Sequence, residues 1–221
     1  SFLDINGESK AVRSLYFPSR RLFTARTLLG RVYHDLWFHF ASDEEIEGLR
    51  RNNMYNNRIL DSLTRDLAGR KSAKPKFIYT HLIMPHHPYF FDSAGQLTND
   101  SLLFDSYKLN RNAYIGYLQY SNNKFLSLID YIKEKSPKPP VIMLMSDHGF
   151  HEFSEEVDKK YHFMNLDAIF SPSGNYKGFY DGMTPVNQFR VLFNGMFQQR
   201  LPLLKDSSVF LWESKLPVIM D

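Results

Sequence analysis

Two short stretches combine residue types that do chemistry. In Ser146-Asp147-His148-Gly149 an acid and an imidazole stand side by side. Asp147 supplies a hard carboxylate oxygen and His148 a borderline nitrogen, a pairing suited to Zn²⁺ or Mn²⁺, with Mg²⁺ or Ca²⁺ as further options. Neighbours on a regular strand point to opposite faces, so both can reach one ion only where the chain leaves the strand. Gly149 is expected to permit that turn. The alternative is an ordinary turn, with Asp147 capping the next segment and His148 exposed. The second stretch is Pro85-His86-His87-Pro88-Tyr89. Two prolines flanking two histidines limit the entropy lost on positioning them. Imidazoles held there can bind an anion when protonated, or donate a proton to a leaving group. Here the alternative is a proline-rich turn whose histidines do nothing.

Each stretch comes after an apolar run. Val141 to Met145 is apolar without alternation and reads as a strand buried on both faces. Phe77 to Met84 reads as a second buried strand. Between them the spacing predicts a helix over 111–134, with Tyr114, Leu118, Phe125, Ile129 and Ile132 on its apolar face and Pro137 and Pro139 stopping it. Strand, helix, strand is the crossover pattern of a parallel sheet, and α/β sheets place ligand sites at the carboxyl ends of their strands. Leu166 to Phe170 reads as a further strand. Thr184-Pro185 starts a helix, with Thr184 as its cap. Residues 92–110 read as a long surface loop, and the tail from Leu201 as an edge hairpin.

Residues 1–73 look helical, with no obvious strand. Leu22, Leu28, Leu29, Val32, Leu36 and Phe40 recur at helical spacing, and His34 and His39 in that segment read as packing residues. Ser42-Asp43-Glu44-Glu45 starts a helix expected to run from about Glu44 to Leu67, ended by Gly69. The expected organisation is therefore a helical segment, 1–73, and an α/β domain, 74–221, with a parallel or mixed sheet flanked by helices.

A net charge of +3, mixed along the chain with no basic block, does not suggest nucleic acid as a partner. There is no cysteine, so disulfide and thiolate chemistry are excluded. No apolar run approaches the roughly 20 residues needed to span a bilayer, and no signal peptide is evident. A chain beginning at Ser1 rather than Met is expected to be a piece of something longer. The aromatic-rich first 40 residues could contact a partner or a membrane surface.

Taken in order, Phe77-Ile78-Tyr79-Thr80-His81 with Pro85-His86-His87-Pro88-Tyr89, Met145-Ser146-Asp147-His148-Gly149, Asn165 to Phe170 and Thr184 to Asn194 resemble the C-terminal half of sulfatase-like proteins of the alkaline phosphatase superfamily. The resemblance spans about residues 75–212. It points to bacterial membrane-anchored hydrolases or transferases related to lipoteichoic acid synthases and phosphoethanolamine transferases. It implies a parallel-sheet α/β fold and a nucleophile beside one or two divalent metals. It also implies an extracytoplasmic location, on the periplasmic side of the inner membrane. By position, Asp147 and His148 match the family's metal-binding acid and histidine, and His162 matches a later metal-site histidine. His86 matches a histidine contacting substrate or leaving group, with His87 beside it. The family's first metal-binding acid and its nucleophile have no counterpart in this sequence, and no Cys-x-Pro-x-Arg or Ser-x-Pro-x-Arg occurs. This leaves two expectations. One is the C-terminal part of a metal-dependent hydrolase or transferase for phosphate or sulfate esters, completed by a missing N-terminal half. The other is a noncatalytic binding or structural domain on the same fold.

Overall fold

The computed structural model of the protein describes residues 2–3, 9–10, 42–104 and 107–209. The expected helix face between Leu22 and Phe40, with His34 and His39, lies outside the described residues, as does the tail beyond Val209. The chain divides into two compact units, Ser1–Pro139 and Pro140–Asp221. The division falls at the proline pair before the Val141 run, and residue 73 is interior to the first unit.

In the first unit, β1 (Phe2–Leu3) pairs antiparallel with β2 (Ser9–Lys10), so this segment is not strandless as expected. The predicted helix is present as α1 (Ser42–Leu49), a π-helical stretch (Arg50–Tyr55) and α2 (Asn56–Gly69) in direct succession. The next helix, α3 (Arg111–Lys135), matches its expected bounds. Asn110 caps it, its side chain accepting from the Ala113 N–H at 3.0 Å. The core of this unit is Ile46, Tyr89, Phe90, Leu103 and Tyr117. Tyr117 is central, its ring lying 6.0–6.5 Å from those of Tyr89, Phe90, Phe91 and Tyr120. Burial, with a smaller contribution from Tyr120, pushes the Tyr117 hydroxyl pKa upward.

Phe77–Met84 is not a strand. It forms no ladder among the described residues, and only its burial pattern is strand-like. Phe77 and Tyr79 are 57% and 64% exposed, while Ile78, Thr80 and Leu82 between them are half-buried. The half-buried side is tied to α2. Asn57 brackets Ile83, accepting from its N–H at 2.7 Å and donating to its carbonyl at 2.9 Å. Thr64 and Thr80 share a hydroxyl bond of 2.5 Å. Lys76 Nζ caps the C-terminus of α2 by donating to the carbonyls of Leu67, Ala68 and Arg70 at 2.6–3.2 Å. An apolar run becomes a strand only when another strand meets its edge, and here side chains of a helix meet it instead.

The described residues of 92–110 form the expected surface loop, and its own hydrogen bonds order it. Asp92 Oδ1 accepts from the N–H groups of Ala94 and Gln96 at 2.9 and 2.8 Å, closing a tight turn in which Gly95 has φ +81°. Phe91 and Leu97 bridge across it, a 3-10 turn comes next at Asp100–Leu102, and Leu103 enters the core.

In the second unit, β3 (Ile142–Met145) pairs with β4 (Asp167–Phe170) in register Ile142↔Phe170 to Met145↔Asp167. The pair is antiparallel, and the parallel crossover read between Phe77–Met84 and Val141–Met145 has no ladder among the described residues. Without the Phe77 strand, β3 has no parallel partner among the described residues. Both strands are half-buried at most, where full burial was expected for β3. The last helix is α4 (Pro185–Phe197), with Pro185 at its first position. Thr184 sits at the cap, but its hydroxyl does not bond its own helix. It donates instead to Asp206 Oδ1 at 2.7 Å, and Asp206 also accepts from the Thr184 N–H at 2.8 Å and the Tyr180 hydroxyl at 2.5 Å.

Candidate functional site

β3 ends at Met145, and the chain leaves the ladder at Ser146, so Asp147 and His148 are free of the strand's alternation. Their side chains are 76% and 51% exposed, with Asp147 Oδ2 3.8 Å from His148 Nε2. Two atoms each about 2.0–2.2 Å from one ion can be at most about 4.4 Å apart, so this spacing allows both to reach a shared divalent ion. The orientation of His148 points the same way. Its Nδ1 lies 2.6 Å from the Gly149 carbonyl. A carbonyl only accepts, so Nδ1 carries a proton and, in the neutral ring, Nε2 keeps the lone pair. A ring N–H fixed on a backbone carbonyl is the usual support of a metal-ligating histidine.

Gly149 is required for a reason other than the one expected. Its φ is not positive. A Cβ there would sit 2.5 Å from the Tyr161 carbonyl oxygen and 2.8 Å from that of His162. The Gly149 N–H donates to the His162 carbonyl at 2.9 Å. His162 therefore meets the Asp-His-Gly loop through its main chain. Its ring packs edge-on to Phe153 and His151 at 5.3 and 4.9 Å, and His151 in turn to His148 at 4.4 Å. Among the described residues no three His, Asp or Glu side chains are grouped to hold an ion together. Asp147 and His148 thus stand as a pair, with the His162 ring beyond His151. Burial lowers the pKa of His151, and repulsion from His148 and His162 lowers it further. His151 is absent from the residues singled out by sequence, and its place three residues after His148 is the one signal that could have found it.

The loop after Met84 belongs to the first unit. His86 is exposed, and its Nδ1 bonds the His87 carbonyl, so in its neutral form His86 also presents Nε2 as an acceptor. His87 is half-buried, packed edge-on to Tyr89 at 5.1 Å, and the Met84–Pro85 and His87–Pro88 bonds are both cis. The exit of the loop is anchored. Tyr89 donates from its hydroxyl to the Lys108 carbonyl at 2.7 Å, Thr98 donates to the Tyr89 carbonyl at 2.7 Å, and Tyr89 and Phe90 are fully buried.

The described residues form helices and short antiparallel strand pairs, with an acid and a histidine following β3, and the alkaline-phosphatase-like α/β class comes from the family match. The Sulfatase family model matches residues 13–200, most of the chain, and the chain belongs to that family. The match begins well before residue 75, where the resemblance in sequence motifs starts. No curated protein and no solved structure matches the chain. Membership brings a sulfatase-type hydrolase function in general, in a family that uses a divalent metal.

Proposed function

We propose that the chain is part of a metal-dependent hydrolase or transferase acting on phosphate or sulfate esters, with Asp147 and His148 as two ligands of one divalent ion. The observation that carries this reading is the 3.8 Å approach of Asp147 Oδ2 to His148 Nε2, with the far nitrogen of the ring fixed on the Gly149 carbonyl. When bound, such an ion would stabilise negative charge on the transferred group and its nucleophile. His86, exposed and with Nε2 available, is suited to contact an anionic ester oxygen or the leaving oxygen. The nucleophile and the first metal-binding acid would come from outside this sequence. The finer kinship we favour is with extracytoplasmic, membrane-anchored bacterial enzymes of the lipoteichoic acid synthase and phosphoethanolamine transferase type, whose parallel sheet would complete the strand pair seen here. No helix among the described residues is long and apolar enough to cross a membrane.

Calorimetric titration with Zn²⁺ and with Mn²⁺ tests the reading. Two protein ligands leave most of the coordination sphere to water, so the expected result is weak binding that Asp147→Ala abolishes. Binding that survives Asp147→Ala would remove Asp147 from the site. The noncatalytic reading is favoured by the lack of a third grouped ligand among the described residues. Ester turnover by the purified chain, lost in Asp147→Ala, would overturn that second reading.

A further inference from the structure

We propose that Asn165, acting with Ser146, is a positioning residue that holds the β3 exit in the one conformation where Asp147 and His148 converge. Asp147 and His148 themselves make only local bonds. The His148 N–H meets Asp147 Oδ1 at 3.1 Å, and the His148 ring meets Gly149. The bonds that tie their backbone to another part of the chain lie one residue to either side, and all of those partners come from residues 162–166. On the far side, Gly149 is bonded to the His162 carbonyl. On the near side, Ser146 is tied to the opposite strand by three bonds. Its N–H donates to the Leu166 carbonyl at 2.9 Å, and its Oγ accepts from the Leu166 N–H at 2.8 Å. Its carbonyl accepts from Asn165 Nδ2 at 2.9 Å.

The ladder stops at the Met145↔Asp167 pair. At the next pair, Ser146 and Leu166, only the Ser146 N–H bond to the Leu166 carbonyl persists, and the carbonyl of Ser146, which precedes the Asp147 peptide, has left the ladder. The Asn165 amide replaces the missing ladder donor. The Ser146 hydroxyl replaces a missing ladder acceptor and turns its own proton toward the His148 carbonyl at 3.2 Å. Two side chains thus carry the β3–β4 register past its end and lock the loop that bears the acid and the imidazole. Ser146 is consumed as a structural acceptor, which argues against its serving as a nucleophile.

The ion-affinity consequence rests on the metal-dependent function proposed for the chain, but the geometric one does not. The experiment therefore has two arms. The first records the tautomer of His148 in the ion-free protein by long-range ¹H–¹⁵N correlation. Wild type is expected to show the Nδ1–H form, and Asn165→Ala a mixture of both tautomers as the loop slackens. The second titrates Zn²⁺ and Mn²⁺, with affinity expected to fall tenfold or more in Asn165→Ala, the usual cost of losing a support around a metal ligand. Retention of the wild-type tautomer in Asn165→Ala overturns the proposal. So does unchanged affinity where wild type binds the ion. If wild type binds neither ion, the metal reading falls and the tautomer arm alone decides the positioning role. Should Asn165→Ala fail to fold, Ser146→Ala removes the acceptor of the Leu166 N–H and is read by the same two measurements, with the same outcomes.

Discussion

The two histidine loops solve one positioning problem by different physics. In both, the exposed ring bonds its Nδ1 to the carbonyl of the next residue and presents Nε2. Behind His86 lies an aromatic core, with Tyr89, Phe90 and Tyr117 each 1% exposed. Behind His148 lies hardly any apolar core. Val191, 6% exposed, is the one buried apolar side chain among the described residues of its unit. That loop is held by main-chain and amide hydrogen bonds. Burial is non-directional and strong in total, so it anchors a loop without dictating each peptide. Hydrogen bonds are individually weak but directional, which suits a pair of side chains whose mutual distance matters.

The contrast predicts its largest effect at Tyr117. Removing this side chain leaves a cavity among Tyr89, Phe90, Phe91 and Tyr120, and the expected cost is about 3–5 kcal/mol. Denaturant unfolding of Tyr117→Ala measures it, and amide exchange should show the segment from His86 to Phe91 losing protection. A loss under about 1 kcal/mol would mean that the loop is not anchored by this core.

In the second unit the corresponding test is Gly149→Ala. The new methyl group meets two backbone carbonyls closer than any real Cβ sits, and neither is a flexible side-chain end that can swing away. The Gly149–His162 bond must lengthen or the 3-10 turn at Lys159–Phe163 must shift, at an expected cost of about 1–3 kcal/mol. Loss of the Nδ1–H bias of His148 in this variant would show that directional bonds hold that loop. An unchanged ring with unchanged stability would show that the close approach does not matter.

The difference between the loops also explains how much could be read from the sequence. Helix bounds were legible because the signals are local: α3 keeps its expected span and Pro185 opens α4 where its type suggests, although the Thr184 hydroxyl turns to Asp206 rather than capping the helix. The Asp147–His148 pair and the His86 loop were legible because residue type alone announces them. Strand pairing was not. Val141–Met145 and Phe77–Met84 look alike as apolar runs, yet one found β4 and the other found Asn57 and Thr64 of a helix. Partner choice is a long-range property that a run of residues does not encode. Asn165, Ser146 and the close approach at Gly149 were hidden for the same reason, since each matters only through the chain that lies opposite.

The smallest expected effect concerns acid. The hydrogen-bonded character of the second unit extends to Asp206, which gathers Tyr180, Thr184 and Asn187 at the start of α4. The Tyr180 hydroxyl first, then the Thr184 hydroxyl and N–H, hold its carboxyl down to about 2. A carboxylate whose pKa is lower in the folded state stabilises that state fully above its unfolded value, near 4, and loses this contribution as pH falls through the folded value. The network should therefore loosen between about pH 4 and pH 2. Asp206→Asn should abolish that dependence while keeping the shape of the side chain. Amide shifts of Thr184, Asn187 and Leu204 followed from pH 6 to pH 2 are the direct readout, since Asn187 also brackets Leu204 with bonds of 2.8 and 2.9 Å. A midpoint near 4 in the wild type would mean that the donors around Asp206 do not favour its charged form, and that hydrogen bonding at the start of α4 is weaker than the contrast between the two loops requires.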